Sequence, residues 1–401
     1  MYKGLALKMY FEIFLQFLYL GLISFGGPAA HIAYFQKTFV EKLNWVEPKT
    51  YAGFIGLSQF LPGPGSSQVG FAIGHERAGV FGGIAAFIGF TLPSFFIMYF
   101  LANLGSEEQL SQPIFVNVIS MLKILAVVVV ADAVLSMFTN FCKNNITISI
   151  AFISAVTSIL VSGLFLQVLL LLAALLFGAI YQAKIQQGFL DSAPAITHSN
   201  FRTELKNIKV FSFSIFVILL FGLPLLANVS NEISLFSDFY YVGSLVFGGG
   251  HVVLPMLQEV TTSIDNDTFL LGYASAQAIP GPMFTFATYL GGEVLVDSVF
   301  IGALLATLAV FLPGFLLIVA FKDSWKGLAK FPRVAGAMVA INAAVVGLLM
   351  SAFYKPVLIS AIHSHWDVVT ALVGFWAVRY AKLPIIAVVI TYVAIGIVKS
   401  L

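Results

Sequence analysis

Charged residues are scarce in this sequence of 401 residues: Asp, Glu, Lys and Arg together make up 9% of it. The formal net charge is only +2, so nothing indicates a basic surface for nucleic acid, and no nucleic-acid partner is expected. Hydrophobic residues make up 60%, and apolar runs of about 15 to 25 residues recur along the chain. No soluble domain of useful size remains between these runs. The composition therefore predicts an all-α polytopic membrane protein, with the lipid bilayer as its surroundings.

Cysteine is almost absent, and so are the sequence patterns of enzymes. The single cysteine, Cys142, cannot form an internal disulfide, and no set of metal-ligating residues surrounds it, so no metal site and no cofactor are expected. The segment HER at 75–77 is not a metalloprotease motif, and Asp132 has no second aspartate in a membrane segment to form a catalytic pair. The sequence therefore gives no support for an intramembrane enzyme.

An internal repeat organises the chain. Three motifs occur twice, in the same order and 218 to 222 residues apart: FGGP and FGGG at 25–28 and 247–250, PGP at 62–64 and 280–282, and FTLPSF and VFLPGF at 90–95 and 310–315. Three motifs in order at constant spacing indicate a tandem of related halves. The predicted divisions are a first repeat (1–184), a polar loop with a joining helix (185–228) and a second repeat (229–401).

The charges of equivalent loops have opposite signs in the two halves. We call FTLPSF and VFLPGF the LP motifs. The loop after the first contains Glu107 and Glu108, whereas the loop after the second contains Lys322 and Lys326. Because Lys and Arg collect in cytoplasmic loops, opposite signs predict halves of inverted topology, with the N-terminus in the cytoplasm of a multi-pass protein of the inner (plasma) membrane. Almost all Lys and Arg then lie on the cytoplasmic side, with three exceptions: Lys123, Lys355 and Lys399. The threading also requires hairpin turns within the membrane at the FGG and PGP motifs.

Glycine and proline at these motifs predict helices that are broken inside the membrane. Glycine allows the tight turn, and Pro28, Pro64 and Pro282 are each expected in the first turn of a half-helix, where proline costs no hydrogen bond. The free N–H groups that come next could bind an anion. The alternative interpretation is a simple kink, but PGP recurs with a glutamine three residues before it in both halves.

The two PGP breaks differ in the residues directly after them. Gly65, Ser66, Ser67 and Gln68 come after the first, and Met283, Phe284, Thr285 and Phe286 come after the second. Hydroxyls beside free N–H groups suit an oxyanion, whereas Met and Phe suit a dry cavity wall. The first repeat is therefore predicted to hold most direct ligands. The second would contribute the helix dipole and closure, with Thr285 and His251.

The candidate substrate-binding residues lie at or beside these motifs: Gly26, Gly27, Pro28, His31, Gln59, Pro62, Gly63, Pro64, Gly65, Ser66, Ser67, Gly248, Gly249, Gly250, His251, Gln277, Pro280, Gly281, Pro282 and Thr285. The histidines could donate a hydrogen bond to an oxyanion or serve as structural groups. The glutamines could bind a ligand or only bridge the hairpin.

Two charged residues inside predicted membrane helices are candidates for coupling or charge compensation. Lys123 lies about ten residues into the helix after Pro113, where a charge is costly and often functional, although its long side chain could also snorkel. Asp132 could pair with a lysine, relay a proton or occupy a solvated helix end.

The motifs resemble those of the chromate ion transporter family over essentially the whole chain. The resemblance rests on LSQFLPGPGSSQVGFAIG and GFTLPSF in the first half, and on VFGGGHVVLPMLQEV and AQAIPGPMFTFATYLGG in the second. It implies a two-domain transporter that exports chromate, a small inorganic oxyanion, and confers chromate resistance, with sulfate as a close analogue. A transporter or channel for another small inorganic anion such as sulfate remains the alternative. The sequence leaves the oligomeric state open, including a homodimer.

Overall fold

The structure of the chain is a computed structural model, which describes residues 2–103, 113–161, 163–182, 207–247, 253–328 and 331–400. Helices account for nearly all of these residues, and no strand occurs among them. The helices of the first half and the joining helix are α1 (Tyr2–Ile23), α2 (Gly27–Phe35, continued by a π-helical segment Gln36–Lys42), α3 (Pro48–Phe60), α4 (Gly65–Asn103), α5 (Pro113–Phe141), α6 (Asn145–Leu160), α7 (Leu164–Ile180) and α8 (Val210–Leu226).

The second half repeats this order. Its helices are α9 (Asn231–Leu245), α10 (Val253–Val260), α11 (Asn266–Ala278), α12 (Phe286–Val294), α13 (Val299–Phe321), α14 (Pro332–Ala352, continued by a π-helical segment Phe353–Leu358), α15 (His365–Arg379) and α16 (Ile385–Ser400). Short helical turns lie at Met283–Thr285, Val296–Ser298, Trp325–Leu328 and Ile359–Ala361.

Five helical stretches among the described residues are long and apolar enough to cross a membrane: Ala6–Ile23, Gly65–Asn103, Ile114–Phe141, Val296–Phe321 and Pro332–Ala361. About 20 apolar residues are needed to span the hydrocarbon core as a helix, because each residue adds 1.5 Å. The prediction of an all-α polytopic membrane protein is thereby confirmed.

Helix bounds recur at the spacing of the sequence motifs. The starts of α11, α14, α15 and α16 lie 218 to 221 residues after those of α3, α5, α6 and α7. The non-helical pair Ala78 and Gly79 kinks α4 at the point where the second half separates α12 from α13. Each half therefore contains the same series of helices.

Glycines let equivalent helices cross closely within each half. Helix α1 packs on α4, and α9 packs on α13. A Cβ on Gly21 would lie 2.6 Å from the Phe90 carbonyl oxygen, and one on Gly243 would meet the Val310 carbonyl oxygen in the same way. Both crossings depend on the absence of a side chain, as is typical of small residues at helix interfaces in membranes.

The later helices of each half pack on the other half. Helices α6 and α7 lie against α14, whereas α15 and α16 lie against α5. Small residues again mediate the contacts, because Gly178 abuts Gly336 and Gly396 abuts Val118. The two halves are interleaved rather than side by side.

The inverted orientation of the halves and the divisions at 184 and 228 stay predictions. Glu107 and Glu108, on which the charge argument partly rests, and most of the polar loop lie outside the described residues.

Candidate functional site

The first FGG motif separates two helices. Helix α1 ends at Ile23, and α2 begins at Gly27, with Pro28 as its second residue. Gly26 and Gly27 have φ angles of 100° and 77°, which L-residues with side chains rarely adopt. The glycines are therefore required by the backbone of this turn.

The PGP motifs make the second pair of turns. Gly63 and Gly281 have φ angles of 124° and 99°. Pro64 and Pro282 precede the helical turns instead of lying in their first turn, so that detail of the sequence expectation is wrong. Their carbonyl oxygens accept the first helical hydrogen bonds, from the N–H of Gln68 at 2.9 Å and of Thr285 at 3.0 Å. A proline suits this position because its missing N–H has no partner to lose there.

The PGP turn of each half is hydrogen-bonded to the FGG turn of the other. The N–H of Gly63 donates to the carbonyl of Val246 at 2.7 Å, and the N–H of Gly281 donates to the carbonyl of Ser24 at 3.0 Å. Ser24 and Val246 occupy the same place, directly before the phenylalanine of each FGG motif. These two crossed hydrogen bonds bring the broken helices of both halves to one place.

The LP motifs complete this junction from the opposite half. A Cβ on Gly63 would lie 3.0 Å from the Gly314 Cα, and one on Gly281 would lie 2.9 Å from the Ser94 hydroxyl. Gln68 strengthens the first contact, since its Nε2 donates to the carbonyls of Pro62 at 2.8 Å and Gly314 at 3.4 Å.

Polar side chains cluster on the first-half side of the junction. His31 on α2 is hydrogen-bonded through Nδ1 to the Ser66 hydroxyl at 3.2 Å. Its ring packs edge-on against Phe90, with the ring centroids 5.1 Å apart. His31 and Ser66 are 1% and 4% exposed, so both polar groups are out of reach of bulk water.

Several buried polar atoms here have no hydrogen-bond partner among the described residues. They are Ser24 Oγ, His31 Nε2, Ser67 Oγ, Gln68 Oε1 and Thr91 Oγ1. Leaving such a group unpaired costs about 1 to 3 kcal/mol, so a concentration of them at one junction indicates a site that is completed by a ligand or by water. We call the group Ser24, His31, Ser66, Ser67, Gln68 and Thr91 the polar cluster.

The matching positions of the second half are largely apolar. Motif alignment places Val246 opposite Ser24, Val253 opposite His31, Phe286 opposite Gln68 and Phe311 opposite Thr91. Thr285, opposite Ser67, donates its hydroxyl proton to the Pro282 carbonyl at 2.8 Å. Its donor is therefore already engaged within its own turn.

The two motif glutamines are not equivalent. Gln277 is partly buried, and its Nε2 donates to the Met283 sulfur at 2.7 Å. Gln59 is exposed, so the expectation of a buried amide is wrong there.

Lys123 and Asp132 each form an ion pair with the other half. The Lys123 Nζ lies 2.8 Å from an Asp267 carboxylate oxygen, and Arg379 lies 3.1 Å from Asp132. Asp267 is 61% exposed, so Lys123 reaches toward the surface as a snorkelling lysine would. Among the described contacts, neither residue reaches the polar cluster through a hydrogen bond or ion pair.

Four candidate residues, Gly248, Gly249, Gly250 and His251, lie outside the described residues. Conversely, the sequence interpretation did not select Ser24, Gln68 and Thr91 as binding residues. All three lie inside or beside the repeated motifs. Comparing the halves position by position could have identified them as polar residues whose counterparts in the second half are apolar. Among the described residues, no group of His, Cys, Asp and Glu side chains is placed to hold a metal ion.

Comparison with protein-family models identifies the family of the chain. The family model for chromate transporters matches residues 11–180 and 233–397, which include every described motif. The chain belongs to the chromate transporter family. The match also spans both repeats, with its interruption at the loop and joining helix.

Curated proteins from several organisms are similar to the chain over most of its length. The chain is 29% identical to an uncharacterized transporter of Methanocaldococcus jannaschii over 96% of this chain and 93% of that protein. It is 26% identical to the chromate transport protein of Pseudomonas aeruginosa, covering 85% and 79% of the two chains. It is 25% identical to the chromate transport protein of Cupriavidus metallidurans, covering 96% and 92%. No solved structure shows a significant match to the chain.

Proposed function

We propose that the chain exports chromate from the cytoplasm by alternating access and so confers chromate resistance. The substrate would bind at the junction of the FGG and PGP breaks, on the polar cluster. The observation that carries this proposal is the set of buried hydroxyl and imidazole groups at the junction that lack partners among the described residues: Ser24 Oγ, His31 Nε2, Ser67 Oγ and Thr91 Oγ1. Two of the relatives, those of P. aeruginosa and C. metallidurans, are named chromate transport proteins, which supports the choice of substrate.

The chemistry at the start of α4 suits a tetrahedral oxyanion. The first helical hydrogen bond in this helix is donated by the Gln68 N–H, so the N–H groups of Gly65, Ser66 and Ser67 precede the helical ladder. Together with the positive end of the helix dipole, they favour a negative charge. The hydroxyls of Ser66 and Ser67 and the imidazole of His31 add side-chain donors beside them. Several donors around one point match an anion with four oxygens.

The crossed hydrogen bonds support an alternating-access mechanism. Broken helices from two repeats that meet at one place are the arrangement by which many secondary transporters build a substrate site. Because each PGP turn is bonded to the FGG turn of the other half, motion of one half would rearrange both sides of the site together. Exposure to one face of the membrane and then to the other would result.

The membrane potential could supply the energy for export. Moving a divalent anion out through an inside-negative potential of about 100 mV releases roughly 4.6 kcal/mol, twice the value for one charge. No coupling ion is required by this estimate. The N-terminus would then be cytoplasmic, and the protein would work in the inner or plasma membrane.

A transporter or channel for sulfate is the second candidate. Sulfate is also a tetrahedral dianion, and the hydroxyl, imidazole and amide groups of the polar cluster offer no evident means of distinguishing the two by hydrogen bonding. Saturable transport with competition separates a transporter from a channel, and the order of competitors identifies the substrate.

The decisive experiment measures chromate flux in vesicles that contain the purified chain at a clamped potential. We expect flux to saturate with chromate, to increase when the potential drives negative charge outward, and to be inhibited by sulfate more than by phosphate. The double variant Ser66→Ala with Ser67→Ala is the control for flux through the proposed site. Flux that does not saturate would support a channel, and flux that ignores the potential would contradict transport of net negative charge.

A further inference from the structure

A polar cavity lies apart from the junction. It has a volume of about 230 Å³ and lies between α6, α7, α10 and the end of α14. Since a water molecule occupies about 30 Å³ of liquid, the cavity has room for a small inorganic ion with part of its hydration shell. The residues that line it and carry polar side chains include Ser158, Gln167, Glu259, Thr262, Ser351 and Lys355.

Gln167 is the buried polar group of this cavity. Its side chain is 3% exposed, and its Oε1 is enclosed without a hydrogen-bond partner among the described residues. No hydrogen bond from its amide nitrogen to a described residue occurs either. The carbonyl oxygen can only accept a hydrogen bond, so water would have to pair it, whereas the amide nitrogen can donate to an anion in the cavity.

Lys355 supplies a positive charge that has no counterion among the described residues. None of their carboxylates lies within 4.0 Å of its ammonium group, whereas Lys123, Lys209 and Lys322 each have such a partner. Lys355 lies at the non-helical position of the π-helical segment after α14, directly before Pro356. Lys355 is exposed and lines the cavity, so its three N–H donors are available there.

Donors outnumber negative groups on the cavity wall. Lys355, the amides of Gln167 and Gln258 and the hydroxyls of Ser158, Thr262 and Ser351 can all donate, whereas Glu259 is the single carboxylate among the described lining residues. A divalent cation would need several carboxylate or carbonyl oxygens and no ammonium among them. The wall therefore suits an anion. The negative charge of Glu259 would lower the affinity of the cavity for that anion.

We propose that this cavity is a second, weaker oxyanion site that the substrate occupies in transit between the junction and the outer face. The inference rests on the proposed function. Val246 lies at the junction, and α10, which begins seven residues later, carries Gln258 and Glu259 to the cavity. The charge pattern of the sequence predicts that this end of α10 and Lys355 face outward. A site on an exit path must bind weakly enough to release its ion, which gives Glu259 a function.

The test is binding of sulfate, as the probe, to the purified full chain by titration calorimetry. Wild-type protein should show two binding events. Lys355→Met should raise the dissociation constant of the weaker event about three- to tenfold, because a partly exposed charge is screened by solvent. Glu259→Gln should lower the same constant by a similar factor. Lys399→Met, at an exposed lysine away from the cavity, is the matched control and should change neither event.

Each outcome decides between the sites. Ser67→Ala should weaken only the tighter event, and Lys355→Arg should restore the weaker one. If Ser67→Ala removes the sole event and Lys355→Met changes nothing, the second site is wrong while the proposed function stands. If no sulfate or chromate binds to wild-type protein, the proposed function fails as well. If Lys355→Met instead lowered the dissociation constant for sulfate and Glu259→Gln raised it, the anion site would be overturned.

Discussion

The two PGP turns share a backbone but differ in their side chains. Gly63 and Gly281 have the same unusual φ range, and each donates its N–H to the carbonyl that precedes the FGG motif of the other half. The next side chains are serines and a glutamine after the first turn, but phenylalanines and a hydrogen-bonded threonine after the second. Backbone geometry has thus been kept in both halves, while buried polar groups are concentrated in one.

The two turns share a structural role, but only the first has the side chains for binding. Features present in both turns hold the broken helices together. Changing such a feature in either turn should therefore reduce stability and transport to a similar extent. Features present only in the first turn are the candidates for binding, so changing them should affect affinity more than stability. Variants at matched positions test these two expectations, beginning with the arrangement of the halves.

The largest expected effect is in a test of the inverted topology, because labelling of a cysteine from one face of the membrane is all or none. In a Cys142→Ser background, cysteines introduced as Lys49→Cys and Asn266→Cys lie at the exposed starts of the equivalent helices α3 and α11. An impermeant thiol reagent should label the first only from the cytoplasmic face and the second only from the outer face. Labelling of both from one face would end the inverted model and, with it, the equivalence of the two turns.

Substitution of the PGP glycines should abolish most transport in either half. An alanine at position 63 or 281 would have to adopt a positive φ angle, which costs about 1 to 3 kcal/mol. Its Cβ would also lie too close to Gly314 or Ser94. We expect Gly63→Ala and Gly281→Ala each to reduce chromate flux more than tenfold and to lower the melting temperature. Gly222→Ala on α8, where a Cβ meets no described atom within 4 Å, is the control. A harmless variant at one turn only would show that the backbone roles differ.

Gln68 should have an intermediate effect, since it belongs to both the scaffold and the polar cluster. Gln68→Leu removes the donor to the Pro62 carbonyl and leaves that oxygen without this partner, which costs about 1 to 3 kcal/mol. We expect a fivefold to tenfold loss of flux, on the order of one lost hydrogen bond. Vesicle flux and thermal unfolding are measured together. Unchanged flux would place Gln68 outside the site.

Asp132 should have the smallest effect. It and Arg379 are 30% and 35% exposed, so the protein does not enclose the pair, and an ion pair that reaches water contributes about 0 to 1 kcal/mol. Asp132→Asn should therefore change chromate flux less than about threefold, as should Asp323→Asn, which breaks the exposed pair with Lys209. A loss greater than tenfold at Asp132 alone, with normal insertion, would instead assign it the coupling role that its position in a membrane helix suggested.

Local chemistry explains which features could be predicted from sequence. The helix breaks at Gly26, Gly63 and Gly281 arise from the backbone freedom of glycine and the missing N–H of proline, which are properties of the residues themselves. The apolar runs likewise predict membrane helices without any knowledge of their neighbours.

Contacts between the halves could not be predicted in the same way. The bonds from Gly63 to Val246 and from Gly281 to Ser24 join residues about 180 and 260 positions apart, and nothing local to either residue indicates its partner. The same holds for Lys123 with Asp267 and Asp132 with Arg379. Exposure of Gln59 was mispredicted because it depends on which face of α3 is covered, and the motif alone does not determine that.

Apparent chromate affinity of matched variants at the two turns tests the asymmetric site most directly. Ser67→Ala and Thr285→Val remove a hydroxyl at equivalent, buried positions, but only the Ser67 hydroxyl lacks a partner among the described residues. Losing a hydrogen bond to a charged ligand costs about 1.5 to 3 kcal/mol, so Ser67→Ala should raise the half-saturating chromate concentration roughly ten- to a hundredfold. Thr285→Val should raise it less than about threefold, with both proteins inserted normally. Equal effects of the two variants on chromate affinity would contradict a binding site built mainly from the first half.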